Sequence, residues 1–571
     1  MAENLATFLQ WAKANGAVTH PGIDFKHDEN SGTSAIWTSS DAFDSTEDLI
    51  EVPSELTINP TLAEAFFGKD MVPSGNRNGL TQLLLAKLRF DTNDTVTSGK
   101  NLSEFFKPYL NILPSGKESG CPHFWDGDEI ALLQKTDVPA RLLRETREAM
   151  TLWHTTISAL PESLRPETYN EDITFYKTGI ESKELVFASY YNNPIGWTSF
   201  PAFLWAHVMF TSRGFPYFLG DHKARDLNEA MLLPVFDLLN HNAKTEVKWG
   251  VKDEDAAVKI FTFKTEQKLR KGDEIWNSYG PKTNEELLLG YGFVVDGNEA
   301  EKAMLVLQLP ESEIIRANND GLNLPSGPIY HTLTREDPLP ENLITLFMLL
   351  SRLNSTGSFK NLRNRLEALQ RLPDILGQKL EVHKFGKAKG SIPPSIVKTV
   401  KIYKSNQKQI FQLAFEKAAK LEKELLKQYK PLSFKTVFKN DKTFANSLLV
   451  VFGITSYEQL AKSDDLDRAL ILWIIRCANK KHYDDTNVLP LWINQKFQDI
   501  ARKIKITKED VQENIPLYKA LFPNLEQRVP EIYKKGDWSI KNFIIAERVI
   551  KELCFTREAS KEVFFIEEIK L

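Results

Sequence analysis

Cysteine is scarce in this chain of 571 residues. Only Cys121, Cys477 and Cys554 occur, too few and too widely spaced for a disulfide framework or a cysteine-rich zinc cluster. That usage fits a reducing compartment. Long apolar runs are missing as well: the most apolar stretches, 447–454 and 469–475, fall far short of the roughly 20 residues that span a bilayer. Residues 1–18 set Glu3 and Lys13 among their apolar positions and offer neither a basic start nor a continuous apolar stretch, so no signal peptide is expected. Net charge is small, -4, and asks for neither nucleic acid nor an anionic membrane as partner. Together these absences point to a cytoplasmic protein, with the nucleus as a second compartment. Common enzyme signatures are lacking too. There is no Gly-x-x-x-x-Gly-Lys-Ser/Thr loop, no Gly-x-Ser-x-Gly elbow, no His-Glu-x-x-His and no Gly-x-Gly-x-x-Gly after a strand. No set of His, Cys and carboxylate residues has ligand spacing, so no metal is expected. Cys121, near His123, has no third orienting group and reads as structural.

What is present is an ordinary globular composition, 42% hydrophobic and 26% charged, which excludes disordered and fibrous classes. The length predicts about two to four domains. Leu5, Phe8, Leu9 and Ala12, stopped by Gly16, predict an opening helix. Short apolar pieces between turn formers predict small strands over 22–60, then helical periodicity holds from about 80 to 204. Strand-like runs return at 247–251, 257–263 and 274–276. Turn formers crowd 318–328, the main boundary falls near 315–340, and almost every later segment has helical spacing. Residues 384–442 hold fifteen lysines, no arginine and four acids, Glu416, Glu422, Glu424 and Asp441. This run is either a solvated helix face or a dock for an acidic or RNA-bearing partner such as a ribosomal particle.

The chemistry gathers in three stretches. Asp237-Leu-Leu-Asn-His241 is followed 38 residues later by Tyr279-Gly280, and twelve after that comes Tyr291-Gly-Phe293. Together they resemble the SET-domain protein lysine methyltransferases. Within these, the chain is similar to the branch of the Rubisco large-subunit methyltransferase and the fungal ribosomal-protein and elongation-factor lysine methyltransferases. The resemblance extends to Phe8-Leu-Gln-Trp-Ala-Lys13, to Pro108-Tyr-Leu-Asn-Ile-Leu-Pro114 with Pro122-His-Phe-Trp125, and to Ser212-Arg-Gly-Phe215, and so covers most of residues 1–300.

The resemblance implies an α+β fold. A SET domain of small β-sheets with a knot-like crossing would occupy 1–315, interrupted by a helical insertion at about 80–205, and an all-α substrate-binding domain would follow over 335–571. It implies a protein-lysine N-methyltransferase that uses S-adenosyl-L-methionine. The catalytic residues would be Tyr279, whose hydroxyl faces the transferring methyl, and Tyr291, a second pocket hydroxyl. Gly32, Thr33, Ser34, Arg213, Asn240, His241 and Tyr279 would hold the cofactor, with Arg213 on its carboxylate. Phe293 would wall the substrate channel, Arg213 would border it, and Asp237 would face the substrate or support the loop. The chain departs from the family where relatives carry Gly-x-Gly, since Ser31-Gly-Thr-Ser34 keeps only one of those glycines. Many SET enzymes complete the lysine channel with zinc-bound cysteines. Here Cys477 and Cys554 alone lie downstream of Tyr279, so the helical domain must take that place.

Such residues suit the chemistry. Neutralising a lysine ammonium at pH 7 costs about 4.6 kcal/mol at its unperturbed pKa. An apolar channel and a neighbouring sulfonium both lower that cost, and aromatic walls tolerate a cationic product. Methyl transfer is an in-line displacement, so alignment supplies much of the rest. The resemblance favours a large-subunit ribosomal protein as substrate, with elongation factor 1-alpha as the alternative. A reading of another class is an inactive SET scaffold that only binds a partner.

Overall fold

A computed structural model of the chain describes residues 2–28, 32–41, 43, 47–72, 74–181, 188–222, 224–253, 256–352 and 358–569. They form two compact units, Met1–Glu301 with Val382–Gln407, and Lys302–Glu381 with Lys408–Leu571. The division therefore departs from the expected boundary near 315–340. The first strand after 301 already belongs to the second unit, and the segment 382–407 belongs to the first. The reason is packing: Val400 and Tyr403 are buried with Trp125, Leu133, Leu142, Leu288 and Leu289.

In the first unit Val18–Thr19, Ile50–Pro53, Ile260–Thr265 and Val247–Lys252 form a four-stranded antiparallel sheet in that order. Its register sets Val52 against Phe261 and Ile50 against Phe263, with Val251 and Trp249 opposite the same two phenylalanines. Because side chains alternate along a strand, these six share one face, and it turns to the core. A separate hairpin pairs Ile23–Asp28 with Gly32–Trp37. The run 274–276, which reads as a strand, makes only single bridges. Glu274 bridges Ile36 antiparallel, and the next residue after the run, Asn277, bridges His241 parallel.

The helical insertion is built round Asn78–Phe90 and Phe200–Arg213, both buried on nearly every side and packed on each other. Such all-round apolarity marks an interior helix. Ser199 caps the second one by accepting the Ala202 N–H, Pro201 sits in the first turn, and the helix ends at Arg213. In the second unit, strands Lys302–Leu307 and Ile329–Thr334 pair, and helices follow to Leu553. To the helices this unit adds a small sheet, Leu432–Ser433, Glu562–Phe565 and Cys554–Arg557, in that order. The strictly all-α expectation is corrected there, because strands of two to four residues leave no periodicity to read. No helix among the described residues is long and apolar enough to cross a membrane.

Candidate active site

The site forms where three segments meet. Strand Ala230–Leu232 leads into a sharp turn at Val235, a β-branched residue held at φ 74°, and then a 3₁₀ turn over Phe236–Leu238. A conformation of that kind costs on the order of 1–3 kcal/mol and persists only where its surroundings dictate it. Beyond it, residues 240–242 run beside 277: the Asn277 N–H donates to the Asn240 carbonyl and the Asn242 N–H to the Asn277 carbonyl, both at 2.8 Å. On the other side the Ile275 N–H donates to the Ala35 carbonyl at 2.8 Å. The segment around 275 thus ties the hairpin to the turn. Asn240 reinforces this, its Nδ2 donating to the Thr33 carbonyl (3.1 Å) and to Glu274 Oε1 (2.8 Å).

Tyr279 is fixed at both ends. Its N–H donates to His241 Nδ1 (3.0 Å), and its hydroxyl donates to the Leu239 carbonyl (2.8 Å). Accepting at Nδ1 keeps that nitrogen unprotonated, and burial, aided by Lys282, lowers the His241 pKa, so a neutral ring is favoured. Three rings then stack: His241 on Tyr279 (4.9 Å, 16°) and Tyr279 on Tyr291 (4.8 Å, 16°), with Phe293 edge-on to Tyr291 at 6.3 Å. Burial raises both tyrosines, Tyr291 to about 12, so at neutral pH each carries its proton.

Helix Asn284–Tyr291 delivers the third ring. A capping box starts it: Thr283 Oγ1 accepts the Glu286 N–H while Glu286 accepts the Thr283 N–H. Gly292 ends it at φ 77°, where a Cβ would stand 2.0 Å from the Ser119 carbonyl oxygen. Only glycine meets both demands.

The insertion also contributes. Arg213 Nη1 donates to the Asp237 carbonyl (3.0 Å) and to Asp237 Oδ2 (3.2 Å), and the buried Tyr109 hydroxyl donates to the same Oδ2 at 2.9 Å. The Asp237 side chain is fully buried, and its Oδ1 has no hydrogen-bond partner among the described residues. Burial pushes this carboxyl up, against the opposing pull of Arg213 and Tyr109. Asp237, expected to face the substrate or to support the loop, packs its side chain beneath the turn.

Gly32 opens its strand at φ 78° with nothing within 4 Å of where a Cβ would stand. Thr33 and Ser34 follow in the ladder, opposite His27 and Lys26, and Ser31 lies outside the described residues. Cys121 is buried with its thiol pushed up to about 12, an unreactive environment. Tyr109, Glu274 and the Leu239 carbonyl received no role from sequence. A main-chain oxygen leaves no trace in residue identity, and Tyr109 lies 128 residues from its partner. A cavity of about 350 Å³ opens beside Tyr291, lined by His123, His207 and Lys282 among others. A groove of about 720 Å³ passes Tyr279 along Phe218, Leu219, Trp249 and Ser278.

Comparison with known proteins adds to this geometry. Residues 302–429 match the EFM1 middle domain. The protein-lysine N-methyltransferase EFM1 of Saccharomyces cerevisiae is 35% identical over 98% of this chain and 97% of its own length. The ribosomal lysine N-methyltransferase 1 of the same yeast is 28% identical over 89% and 92%. Two solved structures share the fold: Rubisco LSMT bound to AdoMet, with TM-score 0.52 at 17% identity, and the SET domain of LSMT bound to MeLysine and AdoHcy, with TM-score 0.51 at 19%. Each covers 74% of this chain and 93% of the other. A tyrosine hydroxyl set against a backbone carbonyl inside a wall of aromatic rings suits methyl transfer to an amine, and with a full-length relative at this identity the chain belongs to the SET-domain family of S-adenosylmethionine-dependent protein-lysine N-methyltransferases.

Proposed function

We propose that the protein methylates a lysine of elongation factor 1-alpha, with Tyr279 as the central catalytic residue. The observation that carries the chemistry is the 2.8 Å bond from the Tyr279 hydroxyl to the Leu239 carbonyl, because it holds two oxygens side by side at the end of an aromatic wall. Such oxygens attract the polarised C–H groups of a transferring methyl and the N–H of an incoming amine. The stacked faces of His241, Tyr279 and Tyr291 favour a lysine stem and disfavour a solvated ammonium. S-adenosylmethionine supplies the methyl group on a sulfonium.

The residues present fit that cofactor. Gly32 leaves open space beside its backbone, Asn240 ties the Thr33 carbonyl to the turn, and Arg213 offers a guanidinium that Asp237 holds through Nη1. In this reading the main chain of Gly32, Thr33 and Ser34, the side chains of Arg213, Asn240 and His241, and Tyr279 hold it, while Phe293 and Tyr291 line the lysine.

For the substrate, likeness to EFM1 over nearly the whole chain, with the match of 302–429 to its middle domain, supports the elongation-factor reading over the ribosomal one. The test is incubation of purified protein with labelled S-adenosylmethionine and, separately, unmethylated elongation factor 1-alpha and large-subunit ribosomal proteins. Label on the factor, abolished by Tyr279→Phe, is the expected result. Label confined to ribosomal proteins overturns the substrate, and label on neither overturns the reading altogether.

A further inference from the structure

The second unit carries a strongly basic face that methyl transfer does not use. Residues 408–442 contain nine lysines, four acids and no arginine. Two of the acids do not reach the surface charge. Glu422 is bound by Arg557 at 3.1 and 2.9 Å, and Asp441, 1% exposed, is bound by Arg476 at 2.9 and 3.1 Å. The exposed surface is therefore more basic than its composition.

The lysines are also ordered. On the helix Pro394–Tyr429, Ala414, Ala418, Leu421 and Leu425 turn into the core of this unit. Lys420, Lys423 and Lys427, spaced three and four apart, occupy the opposite face, all exposed, and Lys430 follows the last turn. They span about 10 Å along the axis at ~1.5 Å per residue. Lys420 lies 3.9 Å from Glu424, whereas Lys423 and Lys427 face each other as an i,i+4 like-charge pair. Glu424, three residues before Lys427, offsets part of that repulsion, but Lys423 has lysines at both i−3 and i+4 and no acid at helical spacing, at a cost of a few tenths of a kcal/mol. Favourable interaction with the helix C-terminus accounts for the last turn alone. Local conflict of this kind marks a surface kept for a partner.

We propose that this face docks on the phosphate backbone of RNA. The cations are all lysine, compact point charges that bind phosphate, and their three- and four-residue spacing sets them in a row complementary to the regular line of charges on a nucleic-acid backbone. The helix has no second apolar stripe to lay into a bilayer, because its one stripe is used by the core. The inference stands apart from the identity of the methylated protein.

The test uses the full chain and a short labelled double-stranded RNA of arbitrary sequence, titrated between about 50 and 200 mM salt. Binding should weaken steeply with salt. The Lys420→Gln, Lys423→Gln, Lys427→Gln triple variant should bind at least ~10-fold more weakly at the lower salt, with a log–log salt slope smaller by about one per lysine removed. Its thermal unfolding and its methyl transfer to a short lysine peptide should match wild type, which separates loss of docking from loss of fold. No RNA binding by the wild type, an unchanged slope in the variant, or tighter binding to polyglutamate or phosphatidylserine vesicles than to RNA each overturns the proposal.

Discussion

Two hydroxyls carry unequal loads at the site. The Tyr279 hydroxyl completes the oxygen pair with Leu239, so Tyr279→Phe should lower kcat by roughly 100-fold or more while leaving KM for a substrate peptide nearly unchanged, as initial-rate kinetics would record. The Tyr109 hydroxyl acts at one remove, by sharing Asp237 Oδ2 with Arg213. Asp237 already sits above the ordinary carboxylate range because it is buried, and Tyr109 and Arg213 hold it down. Removing the Tyr109 donor raises it further. If the turn needs the charged carboxylate, activity falls as pH drops through this pKa, so Tyr109→Phe should move the acid limb of the kcat/KM profile to higher pH. A variant that merely loosened the fold would lower the whole profile and leave the limb in place.

At the scale of elements, the helix bearing Tyr291 is defined by its two ends. Thr283→Ala removes the capping box and should cost about 1 kcal/mol in denaturant unfolding. Gly292→Ala meets both a left-handed φ and the Ser119 carbonyl, and should cost at least ~2 kcal/mol with loss of methyl transfer. The insertion carries its own pH dependence. Asp172, on the helix Tyr169–Gly179, is buried, accepts a 2.7 Å bond from Thr198 and is raised to about 6, chiefly by burial with Glu171 adding to it. A folded-state pKa above the unfolded one stabilises below the unfolded value and loses that contribution as pH rises through the folded one. Asp172→Asn should therefore be more stable than wild type by about 2 kcal/mol at pH 8, and the two melting curves should converge near pH 4.

Across the whole molecule, what could be read from sequence depended on period and spacing. The opening helix and Ile540–Leu553 follow from 3.6-residue periodicity, and the cluster of Asn240, His241, Tyr279 and Tyr291 follows from motif order. The membership of 382–407 in the first unit did not, because Val400 and Tyr403 find partners more than 100 residues away. The bond from Tyr109 to Asp237 did not either, since the two lie 128 residues apart. The near-neutral total charge hid a segment of fifteen lysines and four acids. Cysteine scarcity has a consequence at this scale too. Cys477 is fully buried and Cys554 lies 77 positions on, a spacing unlike that of paired zinc ligands, so a zinc chelator should leave methyl transfer unchanged. Intact-mass and peptide mass spectrometry of elongation factor 1-alpha, after incubation with S-adenosylmethionine and either wild type or Tyr279→Phe, decides whether Tyr279 drives methyl transfer to a lysine. Methyl increments on a lysine with wild type and none with the variant are expected; no increment with wild type, or an equal one with both, would rule this function out.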